Sequence, residues 1–578
     1  MLFRSGPFAP LERRVALNVY DLLWIALIFS GFIAIGHFSQ GLTLPIEAPQ
    51  STVSSLDYSG LPYYAMRTTL RMFAAMAASL LFTFTYATLA AKSERAERAL
   101  IPLLDILQSV PILGFLSFTI TFFLGLFPGS ILGAECAAIF AIFTSQAWNM
   151  AFSFHQSLRS VPRDLVEVAR GFRLTPWQRF WQLEAPFAMP ALIWNMMMSM
   201  SGGWFFVVAS EAISVGDTTI KLPGVGSYLA LAIEQKSVPA VLAAVATMAV
   251  VILLYDVLLF RPLVAFGARF RVELSAGQTE SRSAVRDLFL RTSFLRALMR
   301  PLSAAFQSFA LWRLDWLAAP RSEGERGALA SRLVDVLWYG GLALLIAWAG
   351  WRIVDFVRAE IALSEVGEAL LYTFYTLIRV VALIALASLV WVPIGVWIGL
   401  RPRIADRVQP LAQFLAAFPA NVVFPIAVIL ILRFSLNPNV WLSPLIIFGT
   451  QWYILFNVIA GAAAFPNDLK EAVAGFRIRG WSWWKSVMLP AIFPFYMTGA
   501  LTASGGSWNA AIVAEYVRWG DDLVRAQGIG AYIAQATDAG DYPRIVLGVA
   551  LMSAVVLLFN RIFWRPLFGL AERRLRLD

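Results

Sequence analysis

The residues of this chain best placed to do chemistry occur twice. Residues 164–173 read DLVEVARGFR and residues 468–477 read DLKEAVAGFR; six of the ten positions are identical, and Gly171 and Gly475 lie 304 positions apart. Both copies sit in polar, arginine-containing segments between long apolar runs. Lipid solubility does not explain a repeat there. The matched Asp164 and Asp468, Glu167 and Glu471, Gly171 and Gly475, and Phe172 and Phe476, with Ala169 and Ala472 beside them, offer recognition chemistry: two equivalent docking surfaces for a partner that comes in pairs.

Locally, Ser160 is expected to cap a helix whose first turn holds Pro162 and Asp164, where proline is tolerated because the first amide protons have no helical partner. Asp164 and Glu167 complement the helix dipole. Leu165, Val168, Ala169 and Phe172 fall on one apolar stripe. Gly171 is expected to let the chain turn, and Thr175-Pro176 to start a second short helix carrying Trp177, Phe180 and Trp181. The second copy repeats the pattern with Pro466, Leu469, Gly475, Trp481, Trp483 and Trp484.

Catalysis has little to draw on. The single cysteine, Cys136, excludes an internal disulfide or thiolate cluster. His37 and His155 are far apart, and neither His/Glu metal spacing nor a Ser/His/Asp set is present, so we assign no catalytic residue and no metal ligand. None of the five lysines follows a glycine, which rules out a Gly-x-x-x-x-Gly-Lys-Ser/Thr loop: the chain cannot be its own P-loop ATPase.

The elements that position the repeats belong in a membrane. Of 578 residues 59% are hydrophobic and 14% charged, with mean hydropathy +0.69; a soluble domain carries about 25% charged residues. Apolar runs long enough to span a bilayer fall at about 17–38, 64–91, 100–125, 131–155, 190–213 and 237–260, then at about 333–356, 367–400, 408–432, 440–463, 490–514 and 543–564. The predicted fold is all-α and polytopic, with about twelve transmembrane helices in two parallel six-helix repeats. The first run reads as a retained span rather than a removed signal peptide. Lysine and arginine concentrate on the segments holding both repeated stretches, so the positive-inside rule places those stretches and both termini in the cytoplasm. The net charge of +10 is therefore a matter of topology and does not imply nucleic acid.

The duplication extends further. Pro186 and Pro190 match Pro490 and Pro494, GSYLALAI at 226–233 matches GAYIAQAT at 530–537, and FRPL at 260–263 matches WRPL at 564–567. Arg71 and Pro111 are 40 residues apart, as are Arg379 and Pro419. This divides the chain into a first repeat, 1–266, a basic cytoplasmic linker, 267–332, and a second repeat, 333–578. The linker holds eleven arginines, and its 284–318 portion mixes them with Leu, Phe and Trp, the pattern of an amphipathic helix at an anionic leaflet. The natural place for a pathway in parallel halves is between them. Ser201, Gly202, Gly203 and Trp204 match Ser504, Gly505, Gly506, Ser507 and Trp508, followed by Asn509, midway along corresponding spans. They suit either a small-residue constriction beside a cavity or close helix packing. Glu211 and Glu515, near the outer ends of those spans, suit pairing with an arginine or holding an outer gate. Gln146, Asn149, Gln451 and Asn457 are further polar residues in spans.

The doubled stretch resembles the Glu-Ala-Ala loop of the membrane subunits of binding-protein-dependent ABC importers. Glu471-Ala472, Gly475 and Leu489-Pro490 follow that motif; Glu167-Val168-Ala169 and Ala185-Pro186 depart from it while keeping Glu167 and Gly171. Ser504 to Asn509 with Ala514-Glu515, and Pro419 to Pro425, are similar to the nitrate, sulfonate and taurine branch. The resemblance implies a type I permease fold with two units fused, in the bacterial cytoplasmic membrane. It implies two ABC ATPase subunits, identical or different, on the cytoplasmic side, a periplasmic or lipid-anchored solute-binding protein outside, and surrounding lipid. It implies no cofactor in this chain, with ATP and Mg on the ATPases, and import of a small anion such as a sulfonate or nitrate. The competing class is a secondary transporter with duplicated halves, which needs coupling-ion sites near the midplane.

Overall fold

Long apolar runs in lipid must satisfy their backbone groups internally, which leaves helices as the way across. The computed structural model describes residues 55–215, 218–267, 293–313 and 325–574, with Ser30, Gly36, Pro45 and Val53. Among these residues eight helices are long and apolar enough to span a membrane, and three bent helix pairs raise the number to eleven if each pair is one span. All eleven fall on the apolar runs read from the sequence; the run at 17–38 lies outside the described residues. Leu363–Gly399, at 37 residues, is about 55 Å long at 1.5 Å per residue, well beyond a bilayer core.

Three expected spans are not straight. Glu94–Gln108 and Ile112–Leu126 meet at 99°, and Leu411–Ala417 and Ala420–Arg433 at 78°. The cause is proline at matched positions. Pro111 and Pro419 force the residues before them, Val110 (ψ 127°) and Phe418 (ψ 124°), out of the helical region. The third pair, Pro438–Phe448 and Gln451–Ala463, bends by 44°. Its counterpart Ile131–Arg159 runs unbroken. Pro444, absent from the matching stretch of the first half, interrupts the helical hydrogen bonding near Leu442, and the 44° bend itself falls at Gly449-Thr450.

The duplication reaches the irregular backbone. π-Helical segments occur at Phe180–Glu184 and Trp484–Met488, and again at Asp256–Phe260 and Asn560–Trp564. Such bulges reset the face a helix presents. Two short antiparallel hairpins, not foreseen from the sequence, follow the spans that end at Glu211 and Ala514. Ala212–Val215 pairs with Thr218–Lys221 in the register Ala212↔Lys221, and Tyr516–Trp519 with Asp522–Arg525 in the register Tyr516↔Arg525.

The halves interlock. Ile112–Leu126 packs against Leu489–Ala514 and Tyr542–Phe559 of the second half, while Pro402–Ala417 and Ala420–Val423 pack against Ala185–Glu211 and Val238–Tyr255 of the first. One continuous apolar core runs through both halves.

Candidate functional site: paired docking helices and the seam between the halves

At one end of the bundle each repeated stretch forms a short helix, Arg163–Gly171 and Asn467–Gly475, preceded by Pro162 and Pro466 in extended conformation. Asp164 and Asp468 lie in the first turns, where they complement the dipole. Glu167, Gly171, Glu471, Ala472 and Gly475 are exposed. Phe172 and Phe476 are 76% and 81% exposed, while Ala169 is buried. A Cβ at Gly171 or Gly475 would meet nothing within 4 Å.

Three local expectations need correcting. Gly171 and Gly475 end their helices with helical geometry; the left-handed residues are Arg173 and Arg477, both at φ 53°. Leu174 N–H bonding Ala169 O (3.1 Å) and Ile478 N–H bonding Val473 O (3.2 Å) complete the same closing motif in each copy. Ser160 closes the preceding helix, its Oγ donating to Ser157 O at 3.0 Å, and does not cap the short helix. The Thr175-Pro176 helix is not separate: with its capping box to Gln178 it begins the spanning segment Pro176–Glu211, continuing through the π segment.

The two ends differ around this common plan. The linker helix Ser293–Ala310 is seated on the first half. Trp177 Nε1 donates to Phe309 O (2.8 Å) and Gln178 Nε2 to Leu311 O (2.9 Å), and the Trp181 ring meets Phe306 and Phe309 edge-on. The counterpart of Trp177, Trp481, is 74% exposed. Glu184, in the first π segment, is bound by Lys92 and by Arg179 (2.9 Å). Its counterpart is the buried, apolar Met488.

Midway along the spans the predicted small-residue segments pack mostly within their own halves and touch the other half at single residues, Gly202 and Asn509. The Gly202 Cβ position lies 3.4 Å from the Tyr453 hydroxyl of the other half. Gly203 packs on Gln146 and Met72, and Gly506 on Thr450. Close packing is thus the role of Gly203 and Gly506, whereas Gly505 is exposed with nothing near it. Ser504, Trp204 and Trp508 are buried, and Ser201 is half-buried. Asn509 Oδ1 accepts from Ile112 N–H at 2.7 Å, where the Pro111 bend frees the first amides of the next helix. The related contact is made from the opposite side: Asn421 Nδ2 donates to Phe205 O at 3.1 Å. Phe205 is the positional counterpart of Asn509, so one asparagine bridge appears twice with its donor side exchanged. Of the other polar span residues, Gln451 accepts from Trp391 Nε1 (2.9 Å) and Asn149 from Gln108 (3.2 Å). Gln146 Nε2 lies 3.4 Å from Met200 Sδ, and Asn457 bonds its own helix.

At the hairpin end Glu211 and Glu515 are buried within arginine networks. Glu211 accepts from Arg71 (2.6 Å), Thr68 (2.6 Å) and Gly226 N–H (2.7 Å). Arg71 also grips Glu135 (2.5 and 2.8 Å) and Pro223 O (2.9 Å), and Arg67 bonds Glu135 (2.7 Å). In the second half Glu515 accepts from Arg379 (2.8 Å), Thr376 (2.9 Å) and Gly530 N–H (2.9 Å). Here Asn439 replaces Glu135 and Tyr375 stands where Arg67 would be, so the network carries one ion pair instead of three. Glycine is obligatory at 224, 226, 528 and 530, because a Cβ at Gly224 or Gly528 would overlap the carboxylate and one at Gly226 or Gly530 the backbone of Val208 or Ala511. The hairpins also bridge the halves: Gly520 N–H bonds Ile233 O (3.0 Å) and Lys236 bonds Asp522 (3.0 Å), which pushes the Lys236 ammonium pKa up. Arg67, Thr68, Glu135, Thr376, Asn421 and Asn439 were not singled out from sequence. A charged residue in the middle of an apolar run was the available signal for Arg67 and Glu135.

Comparison with known proteins fits this geometry. The chain is 30% identical over 190 residues to the bicarbonate transport system permease protein CmpB of Synechococcus elongatus, covering 33% of this chain and 65% of that protein. It is 26% identical over 189 residues to the nitrate import permease protein NrtB of Synechocystis, covering 32% and 65%, and 26% identical over 176 residues to the NrtB of Leptolyngbya laminosa, covering 30% and 59%. The chain thus spans less than two thirds of the length of these relatives. The family described as binding-protein-dependent transport system inner membrane component matches twice, at residues 60–261 and 391–576. The chain belongs to this family of ABC importer permeases, with two permease units fused in one polypeptide.

Proposed function

We propose that this chain conducts a small anion into the cytoplasm as the membrane part of an ATP-driven importer. Two ABC ATPase subunits grip it at Arg163–Gly171 and Asn467–Gly475, and a periplasmic or lipid-anchored binding protein delivers solute at the hairpin end. The carrying observation is the pair of matched helices whose Phe172 and Phe476 stand out to solvent, with Gly171 and Gly475 open on the same surface. Among the described residues nothing packs on those glycines, which leaves their surface open to a body approaching from outside. The sidedness follows the lysine and arginine crowding at that end.

Each docking helix leads through a π segment into the span that ends beside Glu211 or Glu515. A displacement of the docking helices, driven by ATP on the partners, is carried along these spans to the seam and the hairpins. ATP and magnesium belong to those partners. The bicarbonate and nitrate in the names of the relatives are both small oxyanions, which supports that solute class. A secondary carrier needs coupling-ion sites near the midplane; the buried carboxylates Glu135, Glu211 and Glu515 are already bound by arginine.

The test is co-purification with the partner ATPases. Glu167→Arg with Glu471→Arg is expected to release both ATPase subunits from a folded chain. Retention of both at wild-type stoichiometry overturns the docking assignment.

A further inference from the structure

Three donors left without partners share one recess at the seam. Ser201, Trp204 and Tyr255 line a small recess of about 30 Å³ whose far wall, Gln413 and Phe414 among it, comes from the second half. Ser201 Oγ, Trp204 Nε1 and Tyr255 OH are each buried with no hydrogen-bond partner among the described residues. Leaving one such group unpaired costs about 1–3 kcal/mol, and native folds keep few of them. Here they are grouped and held in place: the Trp204 and Tyr255 rings meet edge-on at 5.8 Å. In the second half Ser504 Oγ and Trp508 Nε1 are likewise buried and unpaired among the described residues, but the counterpart of Tyr255 is Phe559, which has no donor.

We infer that this recess is a solute-contact site at which a small oxyanion is held by the neutral donors Ser201, Trp204 and Tyr255. The inference rests on the importer reading above and assigns its pathway a chemistry. The deeply buried arginines, Arg67, Arg71 and Arg379, are engaged by carboxylates at the hairpin end, and no residue lining the recess is basic, so it offers hydrogen bonds and not full positive charge. Conduction requires binding favourable enough to enter and weak enough to leave, and neutral donors meet that requirement. Asp256 also lines the recess, and a carboxylate there disfavours a tightly held anion. The site is one of passage, not storage.

The isosteres Trp204→Phe and Tyr255→Phe remove the N–H and O–H while keeping the rings. The whole complex, with ATPases and binding protein, is reconstituted in proteoliposomes, and uptake of labelled bicarbonate and nitrate is followed separately. The double variant, co-purified with its ATPases, is expected to raise the KM for the transported anion about tenfold. A KM within twofold of wild type means the donors serve packing or bound water alone, and overturns the inference. Should the double variant fail to assemble, Tyr255→Phe alone decides: about a threefold rise supports the site, and an unchanged KM overturns it. Failure of the importer reading shows in the wild type, which then takes up neither anion with ATP; failure of this inference shows only in the variants.

Discussion

Arg71→Met is predicted to destabilise the protein more than Arg379→Met, although the two arginines are counterparts. The Arg71 guanidinium makes four bonds, two to Glu135, one to Glu211 and one to Pro223 O, with no solvent contact. Its loss leaves Glu211 with Thr68 and Gly226 N–H alone, and Glu135 with Arg67 alone. Stranding a buried charge in this way costs about 3–5 kcal/mol. Arg379 makes two bonds, to Glu515 at 2.8 Å and to Asn439 at 3.2 Å, and its side chain is 14% exposed. After its loss Glu515 keeps Thr376, Gly530 N–H and Ala531 N–H. Glu515 is then stranded too, but it is the one carboxylate disturbed where Arg71→Met disturbs two, so the cost sits at or below the lower end of that range, about 3 kcal/mol. Adding Glu211→Gln to Arg71→Met removes the stranded charge and is expected to restore part of the loss. The assay is unfolding of the detergent-solubilised protein by a denaturing surfactant, followed by the fluorescence of its 21 tryptophans. Equal losses for the two arginine variants, or no recovery in the double variant, would refute the reasoning.

Gly171→Ala with Gly475→Ala should leave the chain as stable as wild type or raise it by about 0.5–1 kcal/mol per site, since both glycines are helical and open; ATPase association, measured by co-purification, should nonetheless weaken. Trp177→Ala removes the bond to Phe309 and the rings around it, so trypsin is expected to cut faster at the exposed Arg313, whereas Trp481→Ala should leave that rate unchanged. Asn509→Leu deprives Ile112 N–H of its acceptor at the seam and is expected to cost about 1–3 kcal/mol in the same unfolding assay.

What was legible in the sequence is what periodicity and repetition encode. Apolar length located the spans, and matched residues located both docking helices and the Glu211 and Glu515 pair. The matched spacing of Pro111 and Pro419 marks the repeat, but the apolar runs holding them read as unbroken spans, and the direction taken after each bend depends on what the other half offers, as Asn509 and Asn421 show. The turn after each docking helix was misassigned to glycine because glycine is the usual left-handed residue. Here Arg173 and Arg477 take that conformation at a local cost, leaving the glycines available for their outward face. The Arg71–Glu135–Glu211 network joins residues 64 and 140 positions apart. No local pattern encodes that partnership, and only the packing of three helices brings it together. The inequality of the halves was visible as sequence drift around Glu167. Its larger source, the linker helix seated on Trp177 and Trp181, is a tertiary contact.

The most direct measurement is ATP-driven uptake of labelled bicarbonate or nitrate into proteoliposomes holding this chain, its ATPase partners and its binding protein. The account predicts accumulation that requires all three components and ATP, and that is lost in the Glu167→Arg, Glu471→Arg variant. Uptake by the chain alone down an ion gradient, or ATP-driven uptake undiminished in that variant, would contradict it.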